Sequence, residues 1–180
     1  MATTVAGFDS FAACIYNGFM QYVYWVIDKL LGGRPGPLHA PWRPAELYAG
    51  GIRAVVSLAL EEPVEDLSAY GLEHLKVNFP PLFLFSAGMR KAFIHEALPA
   101  WTFIHERVAG GTPVMVHCHA GCDRSGVILA GYLVIYHNML PEAAIAQVRA
   151  ANSCAMQAPG YAEAVSLLHP GQIPDPKTLL

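Results

Sequence analysis

The chain has 180 residues, of which 54% are hydrophobic and 14% are charged, so it is long and apolar enough to bury a core. This balance excludes intrinsic disorder, which requires low hydrophobicity and high charge. A formal net charge of -3 argues against a generally basic nucleic-acid-binding protein, so no nucleic-acid partner is expected. Its four cysteines (Cys14, Cys118, Cys122 and Cys154) are too few for a disulfide scaffold. They fit a reducing, cytoplasmic compartment in which thiols stay free.

The N-terminal segment carries no charged residue from Ser10 to Ile27. Its large apolar side chains recur at spacings of three and four, which predicts one stripe of an amphipathic helix formed by Phe8, Phe11, Ile15, Phe19, Tyr22 and Val26. Polar residues occupy another face, and no Lys or Arg precedes Lys29, so neither a membrane span nor a secretory signal is expected. We predict that residues 1–24 form a helical extension packed on the core. The alternative is a membrane-surface or homodimer contact.

Strands and helices are predicted to alternate along the rest of the chain. Turn-forming residues 30–37 end the first unit. Apolar runs predict strands at 53–58, 75–78 and 113–117, the last of a kind found in parallel sheets. Helices are predicted at 44–49, 87–108, 124–138, 141–151 and 161–168. Pro99 is expected to kink or split the second helix, and the Pro-rich tail 169–180 is expected to be loose. This order predicts an α/β sandwich, in which helices flank a mostly parallel central sheet.

The residues that carry chemistry lie in segment 116–126, between the third strand and the following helix. Five residues separate Cys118 from Arg124, and a loop of that length can wrap a phosphate with its N–H groups and the helix N-terminus. Arg124 can bind two phosphate oxygens, and the same positive field favours the nucleophilic thiolate of Cys118. We predict attack of this sulfur on phosphorus, followed by hydrolysis of the phosphocysteine. Ser125 is placed to hydrogen-bond the departing sulfur.

The other loop positions are predicted to shape the phosphate site. We assign substrate binding to a set of six residues: His117, His119, Ala120, Gly121, Cys122 and Gly126. His117 is expected to order the loop through its ring nitrogens rather than act as a base. A zinc site at residues 117–119 is disfavoured because adjacent side chains point in different directions and no second ligand pair has suitable spacing. No metal and no cofactor are therefore expected.

The motif His117-Cys118-x-x-Gly121-x-x-Arg124-Ser125-Gly126 resembles the signature of cysteine-dependent protein tyrosine and dual-specificity phosphatases. The resemblance covers residues 25–168 and is to the small, single-domain, atypical dual-specificity type; it includes segments 25–27, 51–52 and 55–58. It implies the three-layer phosphatase sandwich and metal-independent hydrolysis of phosphomonoesters. The implied partner is a protein phosphorylated on tyrosine, serine or threonine, or a small phosphomonoester.

The general acid is absent from the place where this family usually carries it. Relatives place an Asp after the second of the predicted strands, but residues 75–86 contain no carboxylate, and Asn78 or Phe79 stands there. Losing a general acid typically costs roughly 10²–10⁴-fold in rate. Asp123 can take this role, as in the similar arrangement of myotubularin-like lipid phosphatases, or it can brace the loop or cap the helix. The carboxylates at 61, 62, 65 and 66 are expected to be a solvated helix start.

Three alternatives concern the substrate and the loop thiols. A phospholipid or phosphoinositide phosphatase is motivated by Asp123, and a catalytically weak phosphate-binding module by the missing loop Asp. The loop carries no Lys, whereas relatives that take polyphosphorylated inositol lipids tend to have extra basic residues there. Cys122 is either a small buried residue or a partner for Cys118 in a reversible disulfide, with Cys154 as another partner. Gln157 or Tyr161 stands near a position where relatives hold the hydrolytic water.

Overall fold

A five-stranded sheet forms the middle of the computed structural model, which describes Met20 and residues 22–179. In chain order its strands are β1 (Tyr24–Ile27), β2 (Leu31–Pro35), β3 (Ala54–Ala59), β4 (Glu73–Phe79) and β5 (Val114–Cys118). The spatial order is β1-β2-β5-β3-β4. β1 pairs antiparallel with β2, and the other pairs are parallel. The predicted mostly parallel α/β sheet is therefore confirmed.

Helices cover both faces of this sheet, because the strands bury alternate side chains on opposite sides. The helices are α1 (Pro44–Ala49), α2 (Ala87–Val108), α3 (Asp123–His137), α4 (Pro141–Ala151) and α5 (Tyr161–Val165), with 3-10 turns at Leu67–Tyr70 and Pro176–Thr178. Val56 and Val116 belong to the large core beneath α2 and α3. Their neighbours Val55 and Met115 belong to a smaller core with Leu47 of α1. These two cores give the three layers.

The start of the chain differs from the prediction. Residues 24–27 form a strand rather than the end of a helix, and the predicted turn at 30–37 contains β2. Glycine fits at positions 32 and 33 because β1 packs closely beside β2; a Cβ added to Gly32 would lie 2.7 Å from the carbonyl oxygen of Tyr24. The predicted helical extension up to residue 19 lies outside the described residues.

Helix α2 runs unbroken through Pro99, so the predicted split is wrong, and the alternative of a kink stays a prediction. Ala97, Ala100 and Trp101 on either side of this proline are buried in the core, and their packing holds the helix together.

At the C-terminus, Lys91 Nζ of α2 donates a hydrogen bond to the carbonyl of Thr178 at 3.2 Å. Within the part of the chain that the structure describes, no helix is both long and apolar enough to cross a bilayer.

Candidate active site

The loop between β5 and α3 is held from outside through its carbonyl groups. The Tyr24 hydroxyl and the Asn152 amide donate to the carbonyl of Gly121 at 2.6 and 3.0 Å. Gly36 N–H donates to the carbonyl of His119 at 2.8 Å. Gly121 has a φ of +74°, and a Cβ there would lie 2.6 Å from the backbone of β2. A loop whose carbonyls are bound on its outer side can direct its N–H groups inward to an anion.

Cys118 ends β5 and is the free cysteine among the described residues. Its Sγ lies 3.3 Å from Ser125 Oγ, in the first turn of α3. Both residues are buried, but Cys118 lies on the wall of a cavity of about 170 Å³. The cavity is lined by Pro81, Leu82, Phe83, Cys118, His119, Ala120, Asp123, Arg124, Ala158 and Tyr161. The structure thus brings the predicted nucleophile, arginine and hydroxyl together.

The guanidinium of Arg124 is held by two partners at the cavity wall. Its Nη2 lies 2.5 Å from Oε1 of Glu61, and its Nη1 donates to the carbonyl of Phe79 at 2.9 Å. Burial alone would lower the pKa of Arg124, but the hydrogen-bonded carboxylate of Glu61 and the nearby Cys118 raise it overall. Hydrogen bonding to Arg124 in turn lowers the pKa of Glu61. Both groups are therefore charged at neutral pH.

A second carboxylate, Glu62, is buried against the same loop. Its Oε1 lies 2.6 Å from His119 Nδ1, and its Oε2 accepts a hydrogen bond from Leu38 N–H at 2.9 Å. The expectation that the carboxylates after β3 form a solvated helix start is therefore wrong for Glu62, and Glu61, although exposed, is bound to Arg124. The available signal was their position directly after a buried strand, at the carboxyl edge of a parallel sheet.

Asp123 has contacts that suit two of its predicted roles. It is the first residue of α3 and lines the cavity beside Cys118. Its Oδ1 accepts a hydrogen bond from Ala158 N–H at 3.0 Å, so it braces the neighbouring loop. Tyr161 also lines the cavity, and its hydroxyl donates to the carbonyl of Leu82 at 2.7 Å. Gln157 is exposed and donates to the carbonyl of Ser153, so of these two residues Tyr161 is the one on the cavity wall.

His117 lies behind the loop rather than on the cavity wall. Its Nε2 is 2.6 Å from Ser57 Oγ, which is 2.7 Å from Nε2 of His74, and Trp42 packs edge-on against its ring at 4.6 Å. Burial lowers the pKa of His117 to about 3, so its ring is neutral at ordinary pH. This geometry agrees with an ordering role. Of the predicted binding residues, His119 and Ala120 line the cavity, whereas His117, Gly121, Cys122 and Gly126 do not.

A disulfide joins Cys122, directly before α3, to Cys154, in the loop after α4. Their Cα atoms are 5.3 Å apart, a separation typical of disulfides. The expectation of free thiols is therefore wrong for these two residues, and Cys122 is not paired with Cys118. The spacing along the chain carried no signal for this pair, because its two residues meet through the packing of α4 on α3.

The segment where this family usually carries its acid is apolar in the structure. Phe79 packs its ring on that of Phe93 with centroids 4.2 Å apart. Pro81, Leu82 and Phe83 follow and line the cavity. The segment thus places apolar side chains at the cavity rim, where the family usually has its acid.

Comparison with known proteins gives a match to the family described as "Dual specificity phosphatase, catalytic domain" over residues 45–168. Phosphatidylglycerophosphate phosphatase PTPMT1 of Arabidopsis thaliana is 35% identical over 127 residues, covering 67% of this chain and 34% of that protein. PTPMT2 of the same plant is 33% identical over 138 residues, covering 72% of this chain and 55% of that protein. The chain thus spans between a third and little more than half of these curated relatives.

Solved structures with the same fold include two small phosphatases. Tk-PTP in its active form has a TM-score of 0.67 at 24% identity, covering 82% of this chain and 95% of that one. PTPMT1 in complex with PI(5)P has a TM-score of 0.64 at 20% identity, covering 81% of this chain and 93% of that one. At this identity the likeness shows the fold.

Proposed function

We propose that this chain, which belongs to the dual-specificity phosphatase family, is a phosphatase that hydrolyses phosphomonoesters through a phosphocysteine formed on Cys118. The observation that carries the proposal is the cavity whose wall holds Cys118 and Arg124, with Ser125 Oγ 3.3 Å from the sulfur. The guanidinium binds two phosphate oxygens, which leaves phosphorus facing the sulfur.

The proposed reaction has two displacements at phosphorus. The Cys118 thiolate forms an S–P bond while the P–O bond to the leaving group breaks, and the leaving oxygen receives a proton. Water then forms a new P–O bond while it gives a proton to the carboxylate that donated one in the first step, and the S–P bond breaks to release inorganic phosphate and the Cys118 thiolate. The Ser125 hydroxyl donates a hydrogen bond to the sulfur as it leaves, which stabilises the thiolate.

We assign the proton donor to Asp123. It is the one carboxylic acid among the residues that line the cavity. Because the Ala158 N–H binds Oδ1 of Asp123, the same residue can brace the loop at Ala158 and present its other oxygen to the leaving group. Glu61 is the neighbouring carboxylate, but its ion pair with Arg124 lowers its pKa and keeps it deprotonated.

An aryl phosphate tests the proposal. We expect hydrolysis that resists EDTA, because no step uses a metal, and inhibition by vanadate, which mimics phosphate. Cys118→Ser should abolish turnover, because the serine hydroxyl is a far weaker nucleophile at neutral pH. Activity retained in that variant, or lost on adding EDTA, would rule the mechanism out. Phosphate binding by the wild type without any turnover would instead support a phosphate-binding module.

For the substrate we propose two classes, phosphorylated proteins and phospholipid monoesters. The lipid class is favoured by the curated relatives named phosphatidylglycerophosphate phosphatases and by the apolar rim of Leu82 and Phe83. Arg124 is the one Arg or Lys among the cavity-lining residues, which suits a single phosphomonoester better than a polyphosphorylated headgroup. Phosphate release from a phosphotyrosine peptide and from phosphatidic acid, compared at equal enzyme, separates the classes. A cytoplasmic location stays a prediction.

A further inference from the structure

Five large apolar side chains are exposed around the phosphate cavity. They are Leu38, Leu60, Leu82, Phe83 and Phe85, each more than half exposed, and we call them the apolar collar. Leu60 and Phe85 reach 71% and 68% exposure. Side chains of this size scattered singly need no explanation, but a set that shares one edge of the molecule with a binding site can form an interaction surface.

The topology places the apolar collar on one edge of the molecule. Its residues follow the carboxyl ends of β2, β3 and β4, and Cys118 ends β5. Because these strands are parallel neighbours, their carboxyl ends meet at the same edge of the sheet. Leu82 and Phe83 line the cavity itself, and Leu38 N–H is bonded to Glu62, which contacts His119.

The exposed loop of the apolar collar is held in place from behind. Arg90 Nη1 donates to the carbonyls of Leu84 and Phe85, both at 3.0 Å. Leu84 N–H donates to the carbonyl of Pro159 at 3.0 Å. These bonds leave Phe83 and Phe85 pointing to solvent with their rings 5.3 Å apart. The loop that exposes these two rings is therefore held in place, because its backbone is hydrogen-bonded to α2 and to the segment before α5.

An apolar cavity of about 200 Å³ adjoins the phosphate cavity, and Leu82 lies on the wall of both. Its lining is apolar except for one carboxylate: Phe79, Pro80, Leu82, Leu84, Met89, Ala92, Phe93 and Glu96. An amphiphile that places its phosphate beside Arg124 therefore finds an apolar site within the same rim.

We propose that the apolar collar docks on the surface of a lipid bilayer and presents the cavity to the phosphomonoester headgroup of a lipid. This inference rests on the proposed phosphatase function and selects the lipid class of substrate. Three separate loops carry the exposed side chains, and a broad surface can contact all three loops at once. A phosphopeptide needs one groove beside the phosphate. Transfer of exposed Leu and Phe side chains from water into the boundary between headgroups and acyl chains lowers the free energy of the system.

The test compares two double variants of the full chain. Leu60→Ser with Phe85→Ser removes two collar residues that do not line the phosphate cavity. The matched control, Leu140→Ser with Ile173→Ser, removes two exposed apolar side chains near the far end of α3, away from the site. Each protein is sedimented with phosphatidylcholine vesicles that do or do not contain phosphatidic acid, and phosphate release is measured.

We expect the collar variant to bind each vesicle type about tenfold more weakly than wild type. Its hydrolysis of phosphatidic acid, in the vesicles that contain this lipid, should fall about tenfold as well. The control and the hydrolysis of a soluble aryl phosphate should be unchanged. Equal vesicle binding by wild type and collar variant would overturn the proposal. So would a collar effect confined to a soluble phosphopeptide, or one confined to the dimer content of the protein in solution. If the wild type itself does not hydrolyse the aryl phosphate, the proposed function is contradicted instead.

Discussion

At the scale of single residues, Asp123 and Arg124 are neighbours in the sequence whose side chains have separate partners. Arg124 is bound to Glu61 and Phe79, and Asp123 to the backbone of Ala158. A carboxylate one residue from the phosphate-binding guanidinium is therefore kept apart from it. This separation lets Asp123 serve as an acid without neutralising Arg124.

Asp123→Asn tests the assignment of the acid, because the amide oxygen can still accept the Ala158 hydrogen bond while the titrating proton is lost. We expect hydrolysis of a poor leaving group, such as an alkyl phosphate, to fall about 10²-fold or more. Its pH–rate profile should lose the alkaline limb, and a nitrophenyl ester should be spared. Asp175→Asn is the matched control, since Asp175 also accepts a backbone N–H in a distant turn. Identical profiles for Asp123→Asn and wild type would assign the proton to another group.

Glu61→Gln tests the carboxylate that sequence reasoning missed. The amide retains one oxygen but turns an NH2 group toward the guanidinium, so Arg124 loses its charged partner. A hydrogen bond to a charged group contributes about 1.5–3 kcal/mol, so we expect kcat/KM for an aryl phosphate to fall roughly 10- to 10²-fold. Glu65→Gln, which alters an exposed carboxylate bonded to Tyr70, should behave as wild type. An unchanged or higher kcat/KM in Glu61→Gln would show that this ion pair does not position Arg124.

The site residues divide by how far apart they lie in the sequence. Cys118, Arg124 and Ser125 could be predicted because one short loop fixes their spacing and their chemistry together. Glu61 comes from 63 positions away and meets Arg124 through the pairing of β3 with β5. Their position directly after a buried strand places the two carboxylates at the carboxyl edge of the sheet, but no local pattern records the contact of Glu61 with Arg124 itself.

At the scale of elements, the Cys122–Cys154 disulfide joins the loop after α4 to the start of α3. The closed loop has a sequence separation of 32, for which chain entropy predicts about 3–4 kcal/mol of stabilisation. Urea unfolding should therefore show Cys154→Ser less stable than wild type by about that amount. Dithiothreitol should lower the wild type to the same level and leave the variant unaffected. A wild type whose unfolding midpoint ignores dithiothreitol would contradict this contribution.

An element could be predicted from the sequence where neighbouring residues mark its type and its ends. Helices α2 and α4 have the predicted bounds because apolar runs there are bordered by Gly, Pro and capping residues. Strand β2 was hidden because Gly32 and Gly33 are typical of turns. In this fold they are required because β1 packs closely beside β2, which is a tertiary contact.

At the scale of the whole molecule, buried histidines make stability depend on pH. Burial lowers the pKa of His117 from 6.5 to about 3, and burial lowers that of His74 to about 4. Below about pH 6.5 the unfolded chain therefore binds protons that the folded chain does not bind. The contribution of these histidines to the free energy of unfolding is complete above about pH 6.5 and is lost as the pH falls toward 3. The slope from one such histidine is at most about 1.4 kcal/mol per pH unit.

Urea unfolding at a series of pH values measures this slope. We expect a steady loss of stability from pH 6.5 to 4.5, and His117→Asn should flatten it. His169→Asn, which alters an exposed histidine, should keep the wild-type slope. Equal stability at both ends of this range would mean that His117 is protonated without cost in the folded protein.

The most direct measurement of the central claim is a rapid-quench experiment with an isotope-labelled aryl phosphate, followed by peptide mapping. The Ser125→Ala variant is used beside wild type, because loss of the hydroxyl 3.3 Å from the sulfur should slow breakdown of the intermediate more than its formation. We predict that one phosphoryl group per chain accumulates on Cys118 in this variant and that none appears in Cys118→Ser. Turnover by the wild type with no label on the protein, or with label on another residue, would contradict the phosphocysteine account.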